Sequence, residues 1–475
     1  MYTTFPESLP DSQSLRPLSS GALAASPRKH LVCFVENALR AFSTKHTKSS
    51  KRRRREQAIV MGIKQALNRP SYAYDILPGE ARKSSLQVRY IMNEFHYTSY
   101  AQQVIFGAGS LARLSEEVTG FGWQRLMLCA TGSLRRDGTI TAVQTALGER
   151  LVAVYERVQP HVPDFQVAEA LALAEAHEVD ALIGLGGGSP IGMAKAVSMA
   201  LEEKRGGKVA RAAFPTEQPL VAVVAIPTTY AGSEMTPVYG VTHHEDGAAR
   251  KITVSDAKIA PKLVIYDPLL TLHLPRELTA STGINALAHC IEALYSVTRN
   301  PLATAVALRG VRAISSALPR CYTRGDDVEA RGEMLLGAFM AGTALAHVTM
   351  ALHHGLCHVL GGTAGVPHGI ANSIILPHAM RFNLDATAPQ LAEAAGAMGI
   401  SLEGRSAVAA AEEGITRIYE LIGSMGLPQR LRDAGVEEAE LPRLARLAFA
   451  SRTVQSNPRP IRDATEIEAL LRAAW

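Results

Sequence analysis

From Phe95 to about Pro268, short apolar runs alternate with stretches in which apolar residues recur every three or four positions. QVIFG, RLMLCAT, LVAVYERV, ALIGLGGG, LVAVVAIPTT and KLVIYDP have the length and β-branched content of buried strands. AVQTALGERL, VAEALALAEAHE and PIGMAKAVSMALEE carry the helical period between them. Strands alternating with helices predict parallel βαβ units, and therefore an α/β domain with a Rossmann-like parallel sheet over residues 92–270. After Pro275 the alternation gives way to Ala- and Leu-rich segments such as LTASTGINALAHCIEALYS and ARGEMLLGAFMAGTALAHVTMALHHG. Residues 271–475 are therefore expected to form an all-α helical domain.

Composition narrows the class. The chain is 47% hydrophobic and 20% charged, as ordinary globular proteins are, and no run approaches the roughly 20 apolar residues of a membrane span. Neither a membrane nor, because the body of the chain is mildly acidic, a nucleic acid is an expected partner. Cys33, Cys129, Cys290, Cys321 and Cys357 are odd in number and scattered, which argues against a disulfide framework and fits a cytoplasmic setting. The net charge of +5 is unevenly spread: residues 1–91 hold 16 Lys+Arg against 6 Asp+Glu, leaving 33 against 38 in the remainder. Lys51 to Arg55 lie in a Ser/Thr/Lys-rich stretch of little apolar periodicity, the pattern of a disordered basic extension. Such an arm suits nucleic acid, an anionic membrane surface or a targeting address. The preferred reading is that residues 1–91 are an upstream or appended segment outside the native protein, the coherent domain starting at Met92.

Three motifs and a histidine cluster carry the candidate chemistry. Gly186-Gly187-Gly188-Ser189 follows the strand ALIGL and opens a helix, so its backbone amides and the helix start suit a phosphate or pyrophosphate. It is neither a GxGxxG fingerprint nor a Walker loop. Thr228, Thr229 and Ser233 follow the strand LVAVVAI, where open α/β sheets bind ligands beyond their strand ends. Asn285 and His289 are four apart on an apolar helix and share a face. Residues 351–378 gather five of the fifteen histidines. His354 and His358 are again four apart, and a Gly-Gly turn is expected to bring His368 back toward them. A histidine cage of this kind holds a divalent metal or moves protons near neutral pH.

In combination and order, GGGSxxG, PTTxxGSE, the Asn285–His289 helix and HxxxH followed ten residues later by a PHG histidine resemble the iron-containing alcohol dehydrogenase family over Met92 to about Arg462. TTYAGSEMTPVYG, HHGLCHVLGG and Gly192, where metal-dependent members carry an acidic residue, are most similar to its maleylacetate-reducing branch. The resemblance implies reduction of the carbon–carbon double bond of maleylacetate with NADH or NADPH by a homodimer. It also implies a metal set aligned with Asn285, His289, His354 and His368. Because Asn285 is neutral where metal-dependent members have aspartate, no metal requirement is expected. His289, His354 and His368 are then expected to stabilise an enolate, with His358 as general acid. Tyr230, His353 and Lys251 are the expected partners of the two substrate carboxylates, although Lys251 also matches a family position near the nicotinamide. Thr131, where NAD-restricted relatives place aspartate, is expected to border the adenosine ribose and, with Arg135 and Arg136 close behind, to tolerate NADPH. The alternative within the family is a metal-dependent alcohol or hydroxy-acid dehydrogenase.

Overall fold

The computed structural model describes residues 95–206, 211–214, 216–245 and 248–475, apart from the side chains of residues 244–251. The basic extension and its boundary at Met92 lie outside the described residues, as does the Lys251 side chain. Six parallel strands form one sheet: β1 (Gln103–Phe106), β2 (Leu126–Cys129), β3 (Leu151–Tyr155), β4 (Ala181–Gly186), β5 (Ala222–Pro227) and β8 (Leu263–Tyr266), in the order β1-β8-β5-β4-β2-β3. Every residue of β2, β4, β5 and β8 is buried, because helices cover both faces and the sequence supplies continuous apolar runs. All six runs read as strands from the sequence are strands, and the three helical stretches are α3 (Thr139–Leu147), α4 (Asp164–Ala176) and α5 (Gly188–Gly206); α1 (Leu114–Phe121) and α2 (Ser133–Arg136) precede them.

Strand order reverses between β2 and β4, which opens a crevice beyond their carboxyl ends. The glycine turn sits there because α5 lies directly on β4. A Cβ at Gly184 would fall 2.6 Å from Ile191 Cα, and Gly186 has φ +132. The adjoining loop is pinned from below: the buried Lys195 ammonium donates to the carbonyls of Ser233 (2.6 Å), Thr236 (2.7 Å) and Val238 (3.0 Å).

A second, two-stranded sheet is an antiparallel hairpin of β6 (Val238–Glu245) and β7 (Ala248–Ser255). The Asp246-Gly247 pair between them is a strong short-range hairpin signal. Thr242 of β6 holds a strained corner, donating from its amide to the Val162 carbonyl and from its hydroxyl to that of His161, both at 3.0 Å. His161 and Val162 have φ of 66° and 51°, a conformation that costs about 1–3 kcal/mol at each residue and persists only where its surroundings enforce it.

The helices that follow are α6 (Arg276–Tyr295), α7 (Pro301–Thr323), α8 (Val328–Ala346), α9 (Leu352–Thr363), α10 (His368–Ala397), α11 (Ala407–Ser424), α12 (Leu441–Phe449), α13 (Arg452–Gln455) and α14 (Ala464–Ala473). Helix α6 is buried along most of its length, and one apolar core joins it and its neighbours to Ile191, Ala225, Val264 and Tyr266 of the α/β half. Among the described residues no helix is long and apolar enough to cross a membrane. Two expectations change. The stretch read as one helical segment breaks between α8 and α9, because the Ser296 hydroxyl donates to the Thr349 carbonyl and the Thr298 hydroxyl accepts the Thr349 amide, both at 2.7 Å. Gly361-Gly362 also continues α9 instead of turning; the reversal falls at residues 364–367, where Gly365 has φ 69.

Helix α8 reaches the ligand loop through a glycine contact: a Cβ at Gly342 would fall 2.5 Å from the Gly232 carbonyl oxygen. Gly342→Ala is therefore expected to destabilise the fold by about 1–3 kcal/mol in urea denaturation. Gly362→Ala, where nothing lies within 4 Å, is expected to be neutral or to stabilise by up to about 1 kcal/mol.

Candidate active site

Three helices deliver four imidazoles to one cluster: His289 from α6, His354 and His358 from α9, and His368 from the first position of α10. The His289 and His354 rings stack 4.4 Å apart at 11°, and those of His358 and His368 lie 5.7 Å apart at 21°. His354 links the pairs, 6.5 Å from His358 and 6.3 Å from His368. The pairs differ in depth. His289 and His354 are 5% and 2% exposed, whereas His358 and His368 are half-buried. Burial, reinforced by the neighbouring histidines, holds His289 and His354 well below the usual imidazole pKa, so this inner pair is neutral at physiological pH.

A chain of hydrogen bonds fixes the tautomer of His354. His353 Nε2 lies 3.3 Å from the Asn372 carbonyl, which can only accept, so Nε2 carries the proton and Nδ1 is a lone pair. That lone pair faces His354 Nδ1 at 3.1 Å. His354 Nδ1 must then be the donor, and it also donates to Glu292 Oε2 at 2.5 Å. The same carboxylate accepts the backbone amides of His353 (3.0 Å) and His354 (3.4 Å), the otherwise unpaired donors of the first turn of α9. Burial raises the Glu292 pKa, while His353 and the backbone amides oppose the rise. Glu292 thus caps α9 and orients its histidine; sequence reading missed it, although it lies three residues after His289 on the same helix.

Neutral His354 consequently presents a lone pair at Nε2, a buried atom with no hydrogen-bond partner among the described residues. Asn285 donates from Nδ2 to the Ala231 carbonyl at 3.4 Å, leaving its buried Oδ1 equally unpartnered, as is His289 Nδ1. This corrects one expectation: in this tautomer His354 has no N–H left to donate to an enolate, so donor work would fall to His289, His358 or His368. Toward a divalent ion the inner wall fits in position, since buried atoms on Asn285, His289 and His354 lack partners and His368 stands beside them. It supplies no anion. Glu292, His353 and His354 also place ligand atoms within 4.8 Å of one another, but the carboxylate there is already engaged by α9.

Of the expected cofactor residues, the glycine turn, Thr228 and Thr229 meet beyond the ends of β4 and β5. The Thr228 amide donates to the Gly186 carbonyl at 3.1 Å, and Thr229 Oγ1 lies 3.1 Å from where a Gly187 Cβ would be. Gly188 and Ser189 begin α5, and Thr131 follows β2 with its hydroxyl 3.0 Å from that of Ser133. Ser233 uses its carbonyl to receive Lys195. Arg135 is ion-paired with Glu156, which leaves Arg136 as the nearby basic group without that partner. The backbone of Lys251 pairs with Thr242 across the hairpin. Two expected substrate contacts do not face the cleft. The Tyr230 side chain is fully buried, with its hydroxyl accepting from Arg331 at 3.0 Å. His353 is fully buried and spends both ring nitrogens behind His354. In each case a core partner has taken the polar atom a ligand would need.

The description "Iron-containing alcohol dehydrogenase" matches residues 101–268, and "Fe-containing alcohol dehydrogenase family, C-terminal" matches residues 279–475. The maleylacetate reductase of Sphingobium indicum is 36% identical over 380 residues, covering 80% of this chain and 97% of that protein. The maleylacetate reductase of Pseudomonas knackmussii is 38% identical over 373 residues, 78% of this chain and 95% of that protein. The crystal structure of maleylacetate reductase from Agrobacterium tumefaciens superposes with a TM-score of 0.68 at 34% identity, covering 81% of this chain and 99% of that one.

Removing the carboxylate separates its two duties. Glu292→Ala is expected to lower stability by roughly 1–3 kcal/mol for each buried donor left unpaired, and turnover by about 10–100-fold. Glu292→Gln retains an acceptor oxygen and is expected to recover most of the thermal stability, with the pH–rate profile displaced from that of the parent protein.

Proposed function

The chain belongs to the iron-containing alcohol dehydrogenase family, and on that premise we propose that it reduces the carbon–carbon double bond of maleylacetate to give 3-oxoadipate, oxidising NADH or NADPH. The observation that carries the reading is a cofactor crevice opening beside a four-histidine cage whose inner wall holds no anion. Near-full-length similarity to maleylacetate reductases supports the substrate.

In this reading the cofactor pyrophosphate lies against the Gly186–Ser189 turn, where the first amides of α5 point at it. Thr228 and Thr229 border the same crevice. Hydride adds to the alkene carbon β to the ketone, and the displaced electron pair moves to the ketone oxygen as an enolate. A half-buried N–H of His358 or His368 stabilises that oxygen, worth about 3 kcal/mol for a preorganised donor. His358 then delivers a proton to the carbon between the alkene position and the ketone. The outer pair is suited to this work because it meets solvent and can be reprotonated, while the inner pair stays neutral. Thr131 carries no charge to repel a 2′-phosphate, which supports use of both cofactors. We further propose a homodimer working in a reducing cytoplasm, where the buried thiols Cys129, Cys290, Cys321 and Cys357 remain separate.

A second reading is favoured by the unpartnered inner atoms: a metal-dependent alcohol or hydroxy-acid dehydrogenase. Asn285, His289, His354 and His368 would hold the ion, and when bound it would polarise the substrate's carbonyl or hydroxyl oxygen. Asn285 brings no negative charge to that set, and for this reason we propose that reduction of maleylacetate proceeds without metal.

Chelator-treated protein, assayed for residual iron and zinc, is expected to oxidise NADH with maleylacetate at the untreated rate. Loss of that activity on chelation and its return with Fe²⁺ or Zn²⁺ would favour the second reading. His358→Asn is expected to lower kcat by roughly 10²–10⁴-fold with little change in the KM for NADH. Asn285→Asp should retain Zn²⁺ through dialysis, read by atomic absorption, where the parent protein loses it.

A further inference from the structure

The proposed substrate carries two carboxylates, and the buried positions of Tyr230 and His353 leave them without the partners expected from sequence. The strained corner at His161 and Val162 stands where one is needed. Its two residues touch the two elements that bound the cleft. Val162 Cγ2 lies 3.4 Å from where a Cβ of Gly192, on cofactor helix α5, would be, and His161 Cε1 lies 4.0 Å from where a Cβ of Gly361, on histidine helix α9, would be. Gly361 follows His354 and His358 at the i, i+4, i+7 spacing, so it continues the stripe of α9 that carries both histidines. From His358 to Gly361 the helix rises about 4.5 Å, a short step along the cleft. The missing side chain at Gly361 leaves room for the His161 ring at the end of that stripe.

The backbone argues in the same direction. Two consecutive residues at positive φ, one of them β-branched, are held by both hydrogen bonds from Thr242 and by the bridge between Pro163 and Thr242. Glycine would adopt φ 66 without strain, yet the position carries histidine. Strain kept beside a cleft, at a half-buried histidine whose Cε1 lies 4.0 Å from the Gly361 Cβ position, is the pattern of a ligand contact.

We infer that His161 is a specificity-determining residue that binds one carboxylate of the dicarboxylate substrate at the far end of the His354–His358–Gly361 stripe. The inference rests on the proposed function for the identity of the diacid, not for the geometry of the subsite. The variant that tests it is His161→Gly, which deletes the ring and relaxes the backbone. The melting temperature is expected to hold or rise. KM for maleylacetate is expected to increase about ten- to a hundredfold, the loss of one hydrogen bond to a charged group, with kcat and the KM for NADH changed by less than about threefold. Preference for the diacid over a monocarboxylate enone lacking one end should fall by the same factor. His161→Asn, which tolerates positive φ, repeats the test should the glycine variant melt early. An unchanged KM, a rise in the KM for NADH in its place, or equal losses on diacid and both monoacids would each overturn the inference. Calorimetry with 3-oxoadipate separates it from the proposed function: a parent protein that binds the diacid through His161 without turning over maleylacetate would sink the proposed reaction alone.

Discussion

The contact on which the site depends is the Glu292 carboxylate against the start of α9. One buried anion receives two backbone amides of the helix and the Nδ1 proton of His354. Burying a carboxylate is costly unless its lone pairs are satisfied, and here every donor it finds belongs to the element that carries the histidines. Helix α9 is thereby tied to α6 at the turn where His289 and His354 stack. Without that tie the inner pair would have neither a fixed tautomer nor a fixed separation.

From this follows a division of labour by depth. The inner pair lies out of water, where imidazolium is disfavoured, and offers unpartnered polar atoms. The outer pair is half-buried and lies nearer to solvent. On the proposed metal alignment the set holds three imidazoles, and Asn285 stands where an anion is expected. The amide keeps its place through the Ala231 carbonyl, so the cage keeps its shape while losing its charge.

The α/β half contributes position more than chemistry. Close packing of α5 on β4 puts the glycine turn at the switch point, the Lys195 ammonium fixes the loop beside it, and the β6–β7 hairpin clamps the corner at His161. The first is a close backbone contact and the other two are hydrogen bonds between residues far apart in the chain, so together they position the ligand-facing loops more rigidly than local propensity would.

The sequence by itself determined the parallel sheet, the helical half that follows it, the glycine turn and the histidine cluster. Each is a local signal: a run of β-branched residues, an apolar period, a spacing of four on one helix face. The Asp246-Gly247 pair of the hairpin is an equally local signal. What only the tertiary structure decided was which polar atoms still face a ligand. Tyr230 and His353 have the chemistry of substrate contacts, but Arg331, Asn372 and His354 take their polar atoms in the core. Glu292 reads as one more charge on a helix until α9 is set against it. His161 reads as a loop residue until Thr242, from a strand about eighty residues away, forces its backbone into a conformation that no local preference would select. A side chain's availability depends on partners distant in sequence, and a linear pattern of residue types does not encode those pairings.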